Sequence, residues 1–409
     1  MTTAQPLVFN PFDPTFRVDP YPTYRRLREE DPRHQSPLGL RVFTRYDDCL
    51  SLLRDPRGSS DAGNSDAYRE WVATRVHDEV LERMERLRPF LFRDPPDHTR
   101  LRGLVSKAFT PRVVERLRPR VEELVDELLG RVAGSGAMEV VEDLAYPLPV
   151  RIISEMLGVP PEDHERFKGW SRELARALDP DFALPEDVIA QRRRAILQFH
   201  AYFGELIAER RRQPRDDLLS ALIAAEDEGQ KLTEDELLST CTLLLVAGHE
   251  TTVNLIANGV LALLRNPEQL ARLRRDPSLA KNVVEETLRY DPPVQMTGRI
   301  ALDDIEVDGM TIAKGEQAIL LLGAAGRDPD QTPDPERFDV GRTDIRHLAF
   351  GGGIHFCLGA PLARVEGQVA LAAMAARLDD LELAVDEPEY KENIVLRGVA
   401  ALPVRFTAR

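Results

Sequence analysis

Cysteine is scarce in this chain. Its 409 residues hold three, Cys49, Cys241 and Cys357, far apart and without a Cys-x-x-Cys pair, which excludes a disulfide framework and a structural zinc site. Positive charge is also in short supply. Against 69 Asp and Glu stand 54 Lys and Arg, a net charge of −15, so no general nucleic-acid or anionic-membrane binding is expected. The longest apolar helical stretch, Thr233–Arg265, is interrupted by His249, Glu250 and Asn254, which argues against a membrane span. The opening "MTTAQPLVFNPFDPTFRVDP" has no basic start followed by an apolar run, so neither a signal peptide nor an anchor is expected, and the reading is cytoplasmic. Repeats and low-complexity tracts are missing as well. With 43% hydrophobic and 30% charged residues and no compositional break, the chain reads as one packed domain over 1–409.

Helical signals dominate what is present. "YPTYRRLREE" has helical character, "LRVFTRY" reads as a short strand, and "DDCLSLLRD" as a short helix that buries Cys49. Arg57–Asp94 mixes an open loop with Val72, Val76, Val80, Met84 and Leu87 at helical spacing, a long insertion of the kind that caps a site. Charged amphipathic helices follow to Arg212, interrupted at "GSGAM", "AYPLPV" and "DPDFALPED"; that last loop is expected, with the Arg57–Asp94 segment, to gate the site. Thr233 and Glu236 form a capping box for one long buried helix to Arg265. A further helix carries "NVVEETLRY", "IEVDGMTIAKGEQAILLL" reads as a β-hairpin turning at Asp308-Gly309, and "NIVLRGVAALPVRF" reads as a strand pair.

Cys357 ends the run "FGGGIHFCLG" and precedes the apolar periodic stretch "LGAPLARVEGQVALAAMAARL". Unpaired N–H groups at a helix start favour a thiolate, which suits a metal ligand or a nucleophile. A lone cysteine is ordinarily buried packing, but three consecutive glycines allow unusual dihedrals and the close approach of a flat group. A phosphate loop is the rival reading, and it lacks its following Lys-Ser/Thr.

Phe350–Gly359 resembles the haem-binding signature of the cytochrome P-450 family. The resemblance implies a mainly α fold with small β-sheets, the family's triangular prism, with haem b between the long helix and the Cys357 loop. Cys357 would be the iron ligand, with Phe350, Gly351, Gly359 and Ala247 against the cofactor. "AGHETT", Ala247–Thr252, resembles the oxygen-activation motif, making Glu250 and Thr251 the proton-delivery pair; the plainer alternative is a polar defect with Thr251 bonded back to a carbonyl. His98 and Arg102 in "HTRLR", Arg299 in "TGRI" and His355 match propionate partners. Glu286 and Arg289 of "ETLR", with Arg337 of "DPERFD", match the structural triad. Gly326 stands where the family more often has Asn, which implies a missing local hydrogen bond.

The function implied is a monooxygenase that hydroxylates or epoxidises a mostly apolar small molecule such as a terpenoid, steroid, macrolide or fatty acid, acting as a monomer. Leu243, Ala247, Val294, Gln295, Met296, Ile394 and Val395 match substrate-lining positions, with Gln295 the orienting polar group. The two other classes are a non-catalytic haem or ligand-binding protein and a peroxide-using haem enzyme; neither calls for Glu250 with Thr251. The chain has no flavin- or NADPH-binding segment, so O2 is the cosubstrate and electrons come from NAD(P)H through a ferredoxin reductase and a ferredoxin. His98–Arg120 holds seven Lys or Arg against the single acid Glu115, a basic patch that suits an acidic partner.

Overall fold

A computed structural model describes residues 7–408 except 37–38, 76–81, 84, 175, 177, 180, 182–183 and 228. Val76, Val80 and Met84 of the insertion therefore lie outside the described residues; around them run a helix, Asp66–Arg75, and a 3-10 turn, Phe90–Phe92.

Helices make up most of the molecule, and the longest is Glu234–Arg265. Its start is fixed by the capping box, in which Thr233 Oγ1 accepts from Glu236 N while Glu236 Oε2 accepts from Thr233 N at 2.8 Å. Beyond the first turn it is buried on nearly every side, Val253, Ile256 and Ala257 completely, which accounts for an apolar pattern running all round it. A fully buried valine or isoleucine side chain of this kind contributes about 1.5–3 kcal/mol. Helices Pro147–Met156, Glu186–Arg212, Ala280–Tyr290 and Ala360–Arg377 pack against it and form one continuous apolar core.

Strands come in small groups. Five form a mixed sheet in the spatial order 33–35, 41–43, 317–321, 296–301, 58–59; the central pair is antiparallel, with Ala318 opposite Arg299. The hairpin closes at Asp308-Gly309, but its second strand is Met310–Ile312; Gln317–Leu321 leaves it for the five-stranded sheet. Both turn residues have positive φ, 44° and 85°, which suits Asp-Gly and admits few others. The tail departs from the expected strand pair. Residues 394–396 make one isolated bridge, Val294 to Leu396, and Pro403–Ala408 pairs instead with Leu378–Leu383 and Ala137–Glu139. Among the described residues no helix is long and apolar enough to cross a membrane, and the three cysteines are unpaired, with Cys49 buried.

Candidate functional site

The loop before Cys357 is shaped by its glycines. Gly351 and Gly353 have φ of 70° and 63°, and a Cβ on Gly353 would lie 2.3 Å from Leu53 O, so both the conformation and the space demand glycine. Leu348 O accepts from Gly351 N at 2.8 Å and Phe350 O from Cys357 N at 2.9 Å, folding the chain back so that the thiol stands at the entry of helix Ala360–Arg377. Cys357 keeps open surface, yet protein crowds it closely enough that desolvation raises the thiol pKa. The N–H groups of Gly359 and Ala360, then Arg102 and Arg364, oppose that rise without reversing it. The helix start thus does not make a thiolate unaided; a metal cation deprotonates such a ligand outright.

Around this loop converge basic side chains with little to bind. The His98 and His355 rings lie 4.2 Å apart, and all four ring nitrogens are buried without a hydrogen-bond partner. Arg299, buried, donates to Gly298 O, and Arg102 donates to Phe356 O. Burial, followed by repulsion from His98, Arg299 and Arg102, holds His355 down to about 3, and burial lowers Arg299 to about 10. Asp94 is the opposing charge, and it is already bonded to Ser59, Ser60 and Asn64. Four donors left short of acceptors fit the paired carboxylates of a haem, with Cys357 at hand for its iron.

On the long helix Glu250 is 2% exposed. Burial pushes its carboxyl up, but His249 and Lys391 more than offset this and hold it at about 2. Lys391 is the firmer partner, with Nζ 2.6 Å from Glu250 Oε1 and 2.9 Å from Asn254 Oδ1. His249 Nδ1 faces Leu245 O, and its Nε2 lies 3.4 Å from Glu250 Oε2. His249 otherwise packs against Tyr146. Thr251 is half-buried, and its hydroxyl donates to Ala247 O at 2.8 Å, as Thr252 does to Gly248 O. Beside Thr252 lies Glu366, 1% exposed with both carboxyl oxygens unpartnered; burial pushes it up to about 8.

The lining candidates are partly brought together. Leu243 and Ala247 lie one turn apart on the long helix, and Gln295 N donates to Val395 O, joining 294–296 to the tail turn. Ile394 N and Val395 N both donate to Asp179 Oδ1. Two candidates are corrected. The Gln295 amide nitrogen donates to Pro292 O and Tyr21 Oη, which turns it toward the N-terminal segment and leaves Oε1 buried without a partner, while Met296 packs with Phe9, Phe16 and Tyr24 of that segment. Both are drawn off by that aromatic cluster.

The triad also needs correcting. Arg289 grips Glu286 through two bonds of 2.7 and 2.8 Å, but the second guanidinium on Glu286 is that of Arg342, at 3.0 Å. Arg337 has its side chain 61% exposed, with its guanidinium 3.9 Å from Asp339 rather than on Glu286, and it gives its carbonyl to Arg289 and Arg342. Gly326 is explained by contact: a Cβ there would sit 2.3 Å from Arg289 O, so any side chain would push helix Ala280–Tyr290 away, and Gly326 O instead accepts from Arg289 Nη1. Lys391, Arg342 and Glu366 were not singled out in the sequence; only the Arg two residues after "FDV" and the Glu within "LARVEG" offered a signal, and both are common patterns.

A family model described as "Cytochrome P450" matches residues 67–403. The chain is 44% identical over 417 residues to the cytochrome P450 monooxygenase PikC of Streptomyces venezuelae, covering 99% of this chain and 96% of that one. Ligand-free Mycobacterium smegmatis CYP164A2 superposes with a TM-score of 0.87 at 49% identity, covering 97% of this chain and 98% of that one. P450BioI, solved in complex with hexadec-9Z-enoic acid ligated acyl carrier protein, gives a TM-score of 0.87 at 40% identity, covering 96% and 99%.

Proposed function

The chain belongs to the cytochrome P450 family and is a haem b monooxygenase using O2 and electrons from redox partners; from that premise we propose which residues do the work. The haem supplies O2 activation, with a thiolate donor favouring O–O cleavage. Cys357 holds its iron, and His98, Arg102, Arg299 and His355 hold its propionates. The observation that carries this is the unpartnered imidazole pair beside two guanidiniums starved of acceptors.

Glu250 and Thr251 supply protons for oxygen reduction. Lys391, whose side chain is 18% exposed, links the buried carboxylate to the surface. Thr251 turns its hydroxyl away from Ala247 O to hand a proton on, and such rotation costs about one ordinary hydrogen bond, roughly 1 kcal/mol. The substrate is a mostly apolar small molecule bordered by Leu243, Ala247, Val294, Ile394 and Val395. The relative holding an acyl chain on a carrier protein makes a long acyl chain one candidate.

Electrons arrive from a ferredoxin, fed from NAD(P)H by a ferredoxin reductase. Its docking face centres on Arg112 and Arg116, exposed residues with no hydrogen-bond or ion-pair partner among the described residues, whereas Arg100 and Arg120 of the same patch are paired with Glu236 and Glu155. Three unpaired thiols support a reducing, cytoplasmic setting. The test is a compound library screened by the low- to high-spin Soret shift, each hit then incubated with NADPH and surrogate ferredoxin and reductase. Oxygenated product supports the reading. Hits that bind but are never oxygenated with electrons flowing would favour a ligand-binding haem protein.

A further inference from the structure

Behind the Cys357 loop lies a hydrogen-bonded trio, an ion pair with a histidine, that neither oxygen chemistry nor propionate binding uses. Glu285, on helix Ala280–Tyr290, takes Arg364 of helix Ala360–Arg377 in two bonds of 2.6 and 3.0 Å. Its Oε2 also meets His347 Nε2 at 3.1 Å. His347 Nδ1 accepts from Ala349 N, so the ring proton sits on Nε2 and points at Glu285. Burial raises the Glu285 carboxyl, and His347 and Arg364 pull it back to about 2, so the site holds a standing carboxylate.

The trio touches the loop through one ring. The Arg364 guanidinium carbon lies 4.5 Å from the centre of Phe350, His347 lies 5.8 Å from it, and Phe350 O receives the Cys357 N–H at 2.9 Å. Arg364 is also one of the two guanidiniums that favour the charged form of the Cys357 thiol. Its position is not its own choice. Without the Glu285 carboxylate the charge of Arg364, held over Phe350 and only 31% exposed, would face the sulfur unopposed.

We propose that Glu285 and Arg364 are positioning residues that set the reduction potential of the haem iron: the carboxylate anchors the guanidinium behind the Cys357 loop and offsets its charge, so the two act on the potential with opposite sign. A positive charge near the iron favours the electron-rich ferrous state, and a negative one the ferric state. Partial exposure of both groups moderates each effect by solvent screening but does not change its direction. The inference rests on Cys357 being the iron ligand.

The experiment is spectroelectrochemical titration of the haem-loaded, substrate-free wild type, Glu285→Gln, Arg364→Gln and the double variant, at one pH and ionic strength, with ferrous-carbonyl spectra of each. The expected midpoint is more positive than wild type for Glu285→Gln, more negative for Arg364→Gln and close to wild type for the double variant, with the thiolate-type carbonyl band kept in all four. Shifts of the same sign, or none, would overturn the proposal. Loss of haem or of the thiolate-type band in either single variant would make the trio a scaffold for the loop and overturn it too. A wild type without that band would instead overturn the ligand assignment on which the proposal rests.

Discussion

Glu366→Gln should make the protein more stable as pH rises, and the size of the effect can be worked out. Glu366 is 1% exposed, has no partner for either carboxyl oxygen, and has its pKa pushed by burial from 4.5 to about 8. The folded chain therefore keeps a proton that the unfolded chain gives up. Between those two values the native state binds more protons than the unfolded one, so stability falls as pH rises. At about 1.36 kcal/mol per pKa unit, allowing for partial ionisation at each end, the loss between pH 5 and pH 7.5 is about 3 kcal/mol. Glutamine keeps the shape and removes the titration. Glu250 and Glu285, both held near 2, contribute stability that is lost only as pH falls below the ordinary carboxylate range, outside this window. His355, held down to about 3 in the fold, bears on this window only through the unfolded chain, and it is present in both proteins and cancels. The assay is guanidinium unfolding of equally haem-loaded wild type and variant at pH 5 and 7.5. The stability difference should move by about 3 kcal/mol in favour of glutamine at the higher pH. An equal difference at both values would show that Glu366 is ionised or compensated in the fold and refute the reasoning.

Three further outcomes are expected. Thr251→Ala should still consume NADPH but divert much of the oxygen to hydrogen peroxide, with Glu250→Gln slowing turnover in parallel; unchanged coupling, read as product formed per NADPH, would remove Thr251 from the proton route. Arg342→Met should cost about 2 kcal/mol through its lost bonds to Glu286 and to the carbonyls of Pro333 and Asp334, whereas Arg337→Met should stay within about 0.5 kcal/mol; denaturant midpoints decide between them, and the reverse order would restore Arg337 to the triad. Reversing Arg112 and Arg116 to Glu should slow haem reduction by a ferredoxin at low salt with little effect at high salt; wild-type rates at low ionic strength would sink the docking face.

Local chemistry is what made parts of this chain legible in advance. The Thr233–Glu236 capping box and the apolar stretch to Arg265 define the long helix to within a residue, and Asp308-Gly309 marks its hairpin because few other pairs tolerate two positive φ values. The glycines before Cys357 and the "AGHETT" motif pointed to the two faces of the site through their resemblance to the family's motifs, where their composition alone left packing readings open. What stayed hidden depends on contacts between distant segments. Lys391 reaches Glu250 across 141 residues, and nothing near a lysine in a tail turn announces a buried carboxylate. Arg337 and Arg342 both follow "DPE" within a few positions, and only the path of the 333–342 segment decides which guanidinium meets Glu286. Gln295 was read as substrate-facing by resemblance, but its amide nitrogen turns to Pro292 O and to Tyr21, 274 residues earlier. The tail strand pairs with Ala137–Glu139, a partner its own alternation could not name.

The central claim is that Cys357 gives a thiolate to haem iron within a cradle of His98, Arg102, Arg299 and His355. The ferrous-carbonyl spectrum of the haem-loaded protein tests it most directly, measured for wild type, Cys357→His and Cys357→Ala. The account predicts a thiolate-type Soret band in the wild type and its loss in both variants. The same thiolate-type band in Cys357→Ala would contradict it.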